Sequence, residues 1–214
     1  EEVGFELVAN KTLYQIGDKA VYIQPDYCVS DIPLFESVYS GYTNLYMRHG
    51  RNIRSALLNS EGKIEDIYVM TRNFICGNQM GWQPSIEAES DKNSWVFQFI
   101  HRLVKIRNEE KQFLVYGEMI KPLKISISPE NEEGILYSSW KSIDNKVGII
   151  FVNITESPIS FEINFKDLPV DIKTNNFVVY GDPTPDLEKI SSDKLEKPQT
   201  YKIPALGVMV IKTI

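Results

Sequence analysis

Positive charge is in deficit: 23 Lys and Arg face 29 Asp and Glu, a formal net charge of −6. A nucleic-acid partner needs clustered positive charge to displace phosphate counterions, so none is expected. Cysteine is scarce. Cys28 and Cys76 have no metal-ligand spacing; they read as two buried thiols or as one bridge, which leaves the compartment open. The two histidines join no Cys or Asp in a ligand cluster, so no metal is expected. No glycine-rich phosphate loop occurs, and Ser40 lacks the preceding glycine of a nucleophile elbow. No cofactor is expected. No run approaches the roughly 18 apolar residues of a membrane span. The start at Glu1-Glu2-Val3, without Met, reads as a cut or processed product.

What is present is an ordinary globular composition, 43% hydrophobic and 24% charged over 214 residues, enough for a sizeable core. It divides near residue 110. Every arginine (Arg48, Arg51, Arg54, Arg72, Arg102 and Arg107), both cysteines and both histidines precede that point, and most of the 11 prolines follow it. Hydrophobic periodicity changes at the same place. Before it, Phe5–Val8, Ala20–Ile23 and Leu34–Tyr39 are short strand candidates, and Ile64, Ile67, Tyr68, Thr71 and Ile75 form a helical stripe that Gly77 closes. The clearest helix covers about residues 91–110. Trp95, Phe99, Leu103 and Ile106 recur at helical steps, with Val96, Ile100 and Val104 beside them, and Asp91 or Ser94 is the N-cap. Two apolar stripes on one helix imply burial on two sides. Trp95 and His101 read as structural.

After the break the period is two. Ile159, Phe161, Ile163 and Phe165 alternate with Ser160, Glu162 and Asn164, as in a half-buried antiparallel strand. Further strands are read at Leu123–Ile127, Ile135–Trp140, Val147–Asn153, Phe177–Tyr180, Tyr201–Ile203 and Val208–Lys212, separated by turn residues. The polar stretch Asp182–Pro198 reads as a long loop. Several short strands with no helical stripe suggest a β-sandwich.

Aromatic and polar residues gather where elements end: Tyr39-Ser40-Gly41-Tyr42 after one apolar run, Gly77-Asn78-Gln79-Met80-Gly81-Trp82 after a helix. A pyranose has apolar C–H faces and hydroxyl edges, so flat rings with amide neighbours suit sugar binding; rim residues of an ordinary core are the alternative. Tyr39, Tyr42, Asn78, Gln79 and Trp82 are the candidate binding residues. His49, in the basic loop Arg48-His49-Gly50-Arg51, joins them, with plain surface exposure as its other reading. Glu36 shares a strand face with Leu34 and Val38. A carboxylate there is costly unless paired, which makes it a catalytic candidate or the ion-pair partner of Arg48, Arg51 or Arg54. Asp26 and Asp31 read as turn formers. Trp140 reads as core or rim.

A mixed α/β segment, a helix ending in Arg107-Asn108-Glu109, then Gly117-Glu118-Met119 and a Lys-rich all-β region resemble the end of a glycoside-hydrolase chain. More narrowly, residues 32–42, 74–82 and 116–122 resemble an uncharacterised bacterial family of barrel proteins, the DUF6259 family. The resemblance implies an α+β chain: the end portion of a (β/α)8 barrel at residues 1–111, followed by a C-terminal antiparallel β-sandwich at 112–214. It implies a carbohydrate partner and the remaining barrel strands, from the same longer chain or another chain. An extracytoplasmic bacterial setting is one option. The family pattern places a Glu after the strand matching Phe5–Val8 and an acidic residue in the Gly-x-Gln-x-Gly-Trp motif. Here Asn10 and Asn78 stand in those places. Glycoside hydrolysis uses two carboxyl groups, so a non-catalytic carbohydrate-binding or structural module is the competing expectation.

Overall fold

A computed structural model describes residues 12–16, 19–23, 60–79, 93–121, 134–163, 176–183, 188–190 and 198–214. Its elements are β1 (Thr12–Ile16), β2 (Lys19–Ile23), α1 (Ser60–Ile75), α2 (Trp95–Glu109), the single turn α3 (Lys111–Leu114), β3 (Glu118–Ile120), β4 (Ile135–Lys141), β5 (Val147–Asn153), β6 (Ile159–Ile163), β7 (Phe177–Asp182), β8 (Glu188–Ile190), β9 (Gln199–Ile203) and β10 (Val208–Thr213). The fold is α+β and rich in antiparallel sheet. Six strands form one sheet in the order β3-β4-β5-β10-β7-β8, β6 pairs with β9, and β1 pairs with β2.

Alternation along the strands explains the layering. In β5, Val147, Ile149 and Phe151 enter one apolar core, while Ile150 and Val152 enter another. Period two sends successive side chains to opposite faces, so a strand buried on both faces reads as the unbroken apolar run Val-Gly-Ile-Ile-Phe-Val. β6 is buried on one face only, and Ile159-Ser160-Phe161-Glu162-Ile163 alternates buried and exposed residues throughout. The first core lies between the six-stranded sheet and the β6–β9 pair, with Phe151, Phe161 and Tyr201 in sequential ring contact. The second lies between the same sheet and the helices.

The helices cover that second face through standard amphipathic spacing. α1 buries Ile67, Met70, Thr71, Phe74 and Ile75, the i, i+3, i+4, i+7, i+8 stripe of one helical face. α2 buries Val96, Phe99, Leu103 and Ile106. Ser94 is its N-cap: the Oγ accepts a hydrogen bond from the Phe97 N–H at 3.2 Å. Phe113 and Leu114 of α3, Met119 of β3, and Leu136, Trp140, Ile150, Val208 and Val210 of the sheet complete the cluster. This core therefore contains residues from both sides of position 111.

Several expectations are refined. Ala20–Ile23 lies within β2, but its partner is β1 in antiparallel register, Tyr14 opposite Val21. The described residues contain no parallel pair. The segment read as one long loop contains β8, which pairs with β7. α2 buries one side more deeply than the other: Val104 is 37% exposed and Trp95 is half-buried. His101 is exposed and stacks on Phe97. Trp140 is fully buried core, its Nε1–H donating to Ser138 Oγ at 2.8 Å. Cys76 is buried.

Candidate functional site

Of the expected site residues, Asn78 and Gln79 are described; Glu36, Tyr39, Tyr42, His49 and Trp82 lie outside the described residues, as do Asp26, Asp31 and Asn10. The two are set by the way α1 ends. Gly77 adopts φ +74°, a conformation glycine enters without steric cost. Its N–H donates to the Phe74 carbonyl at 3.0 Å, and the Asn78 N–H donates to the Asn73 carbonyl at 3.0 Å. These two bonds make a Schellman motif. The contact that usually joins the first residue beyond the glycine to the last helical turn is apolar. Here it is polar: Asn78 Nδ2 donates to Asn73 Oδ1 at 3.0 Å. Asn78 is 8% exposed, and among the described residues its Oδ1 accepts no hydrogen bond.

Glycine is required at position 77 for a second reason. A Cβ there would meet Trp140 Cη2 at 2.7 Å and the Leu114 carbonyl oxygen at 2.9 Å. The end of α1 thus sits directly on the sheet and on α3. From α2, Arg107 closes the arrangement. Its Nη2 donates to the Gly77 carbonyl at 3.1 Å and its Nε to the Asn78 carbonyl at 3.3 Å. A cation at carbonyls left unsatisfied by a helix C-terminus is favourable. Burial lowers the Arg107 pKa from the ordinary guanidinium value, with the nearby Tyr116 phenol acting in the opposite sense. Gln79 and Tyr116 are exposed. Chemically, the junction offers a fixed planar cation, an exposed primary amide and an exposed phenol ring. Asn78 positions this turn. Its amide donates to Asn73, and an amide exchanges no proton as a catalytic carboxyl would.

A second polar cluster, unforeseen in the sequence, joins the helices to the sheet. Glu110 is 1% exposed. It accepts hydrogen bonds from Tyr180 Oη, from Lys212 Nζ at 2.5 Å and from Gln112 Nε2 at 3.2 Å. Lys212 Nζ also lies 5.2 Å from the Tyr180 ring centroid. Burial, followed by the hydrogen bond to Glu110, pushes the Tyr180 phenol well above its ordinary value. Nearby, Asp182 receives Arg102 Nε at 2.8 Å and Lys105 Nζ at 2.7 Å, and Arg102 Nη1 donates to the Leu206 carbonyl. Each carboxylate meets at least two donors, as expected of packing contacts between layers. Among the described residues no group of three His, Cys, Asp or Glu side chains could hold a metal. No helix among them is long and apolar enough to cross a membrane.

The sequence matches no family model and no curated protein. Solved structures similar to it include a family 27 β-L-arabinopyranosidase from Geobacillus stearothermophilus, 10% identical, over 71% of this chain and 30% of that one, at a TM-score of 0.43. Another is α-galactosidase I from Mortierella vinacea, 13% identical over 71% of this chain and 35% of that one, at 0.42. A third is a family 44 endoglucanase from Clostridium thermocellum, 22% identical over 38% of this chain and 17% of that one, at 0.29. All three are glycoside hydrolases, and this chain spans about a third or less of their lengths.

Proposed function

We propose that this chain is the C-terminal part of a carbohydrate-active, glycoside-hydrolase-like protein, and that its own contribution is to bind sugar. The observation that carries this reading is the exit of α1. Gly77, Asn78 and Arg107 fix the backbone there, and Gln79 stands exposed immediately before Met80-Gly81-Trp82. A rigid base with an exposed amide and an indole three residues on suits a pyranose, which needs hydrogen bonds at its edge and an apolar platform under its face. Tyr39, Tyr42 and His49 are proposed to extend the same surface.

In the proposed arrangement residues 1–111 are the barrel-derived segment and 112–214 the accessory sandwich. Glu36 is the proposed carboxyl group of this chain, and a second lies upstream. Hydrolysis needs both, one to protonate the leaving oxygen and one to act as base or nucleophile. The chain alone therefore binds without cleaving. A non-catalytic binding module is the second reading, favoured by the Asn78 amide, held by Asn73 where the family pattern places an acid.

The test is a glycan-array screen of the chain, followed by a reducing-sugar assay on each bound glycan. Binding without release of reducing ends is the expected result. Hydrolysis by the isolated chain would overturn the assignment of a missing carboxyl group, and an array with no bound glycan would overturn the carbohydrate reading.

A further inference from the structure

Most cations in the described residues are exposed, as Lys111, Lys121, Lys141 and Lys202 are, or meet a carboxylate. Arg102 and Lys105 share Asp182, Lys212 meets Glu110, and Lys146 meets Asp144. Arg107 differs. It is partly buried, yet no ion pair joins it to a carboxylate among the described residues, and its two observed hydrogen bonds go to neutral carbonyls. Taking a charge out of water without an opposite charge is unfavourable. Capping α1 explains only part of this arrangement, because Nε–H and one Nη2–H make those bonds and a guanidinium has about five N–H donors. Those two bonds also hold its plane fixed.

Three elements meet at this side chain: the end of α1 with Gln79, the last turn of α2 with Arg107, and the residues following α3 with Tyr116. Leu114 O lies 2.9 Å from the Cβ position of Gly77, which places the end of α3 against the end of α1. Tyr116, two residues beyond Leu114, is 61% exposed. The junction thus carries a preoriented cation, with an exposed amide and an exposed phenol on the elements that meet there.

We infer that this junction is a carboxylate subsite for hexuronic-acid residues, with Arg107 binding the carboxylate, Gln79 a ring hydroxyl and Tyr116 the sugar face. The inference rests on the carbohydrate reading and deepens it by naming the substrate class. A planar fork matches a carboxylate in a way a neutral sugar hydroxymethyl group cannot. The remaining face of a hexuronic acid still offers the hydroxyls and C–H surface that an amide and a phenol ring recognise.

The experiment is calorimetric titration of the chain with a galacturonic-acid trimer, its fully methyl-esterified form and neutral oligosaccharides. The ester keeps the shape and removes the charge. The acid should bind about tenfold or more tightly than the ester at low salt, the scale of one charge-assisted contact. Arg107→Gln should bring the acid-to-ester ratio to about one, whatever it does to the affinity they share, and Arg107→Lys should keep part of the ratio. Tyr116→Ala, at an exposed position that does not threaten the fold, should weaken acid and ester alike. If Arg107→Gln fails to fold, the acid-to-ester ratio of the wild type and its collapse at high salt decide the matter. Equal binding of acid and ester overturns this inference and leaves the carbohydrate reading standing. Tyr116→Ala without effect on either overturns the proposed geometry. Failure to bind any of the sugars overturns both.

Discussion

Replacing Gly77 by alanine tests the packing logic of the α1 terminus. Two penalties act at once. The backbone there has φ +74°, and an L-residue in that region costs about 1–2 kcal/mol. The added methyl would stand 2.7 Å from Trp140 Cη2 and 2.9 Å from the Leu114 carbonyl oxygen. Neither can retreat easily, since Trp140 is fully buried and the other atom is backbone. Forcing a methyl into a filled core costs about 1–3 kcal/mol. The sum is about 2–5 kcal/mol, roughly 4–20 °C in midpoint temperature for a chain of this size. Urea denaturation followed by near-ultraviolet circular dichroism measures it. Gly148→Ala is the control: its Cβ would meet the Phe113 ring at 2.9 Å without a positive φ, so only the steric part remains. Trp140→Phe in the Gly77→Ala background should return part of the steric loss and none of the backbone loss. A Gly77→Ala chain within about 0.5 kcal/mol of wild type, inside the ordinary surface range, would refute this account of the junction.

The other predictions concern the contacts between helices and sheet. Glu110→Ala leaves Tyr180 and Lys212 without their acceptor. Because Lys212 keeps 26% side-chain exposure and can turn to water, the expected loss is about 1.5–3 kcal/mol, the range for hydrogen bonds to a charged group, read by the same denaturation assay. Burial alone would raise the Asp182 pKa; the hydrogen bonds from Lys105 and Arg102 outweigh it and hold the carboxyl below its usual range. A lowered folded-state pKa gives stability that is present above the unfolded value of about 3.9 and lost as pH falls through the folded value. Asp182→Asn should therefore be less stable than wild type at pH 7, with the gap closing below about pH 4 in a series of urea midpoints. A gap that stays constant down to pH 2 would contradict the ion-pair assignment.

The α2 stripe and the glycine closing α1 are legible because each is a local pattern of a few residues with a single physical reason; the α2 cap is legible only as Asp91 or Ser94, and the structure selects Ser94. The alternation of Ile159 to Ile163 was equally legible, since one wet face leaves its mark at every second residue. The burial of Glu110 was not. It stands in Arg-Asn-Glu-Glu-Lys, a run that reads as a solvated helix end, and its partners Tyr180 and Lys212 come from 70 and 102 residues away. β3 and β8 leave no mark in the sequence, because a three-residue strand is too short to show a period. For the site, the turn Gly77–Gln79 is legible in the sequence, with Asn78 as a candidate binding residue; the contact of its Nδ2 with Asn73, five residues back, is not. Arg107 was legible only as a basic residue in a last helical turn; its approach to the carbonyls of α1 depends on how two helices cross.

Whether the exit of α1 holds sugar, as proposed, is decided by calorimetric titration of the best array-selected oligosaccharide into the chain, wild type and Trp82→Ala. The expected wild-type dissociation constant is on the order of micromolar to millimolar. One lost aromatic platform should weaken it about fivefold to tenfold, in line with the roughly 1 kcal/mol of an aromatic contact. A wild-type chain that takes up no oligosaccharide, or binding that Trp82→Ala leaves unchanged, would contradict the proposal.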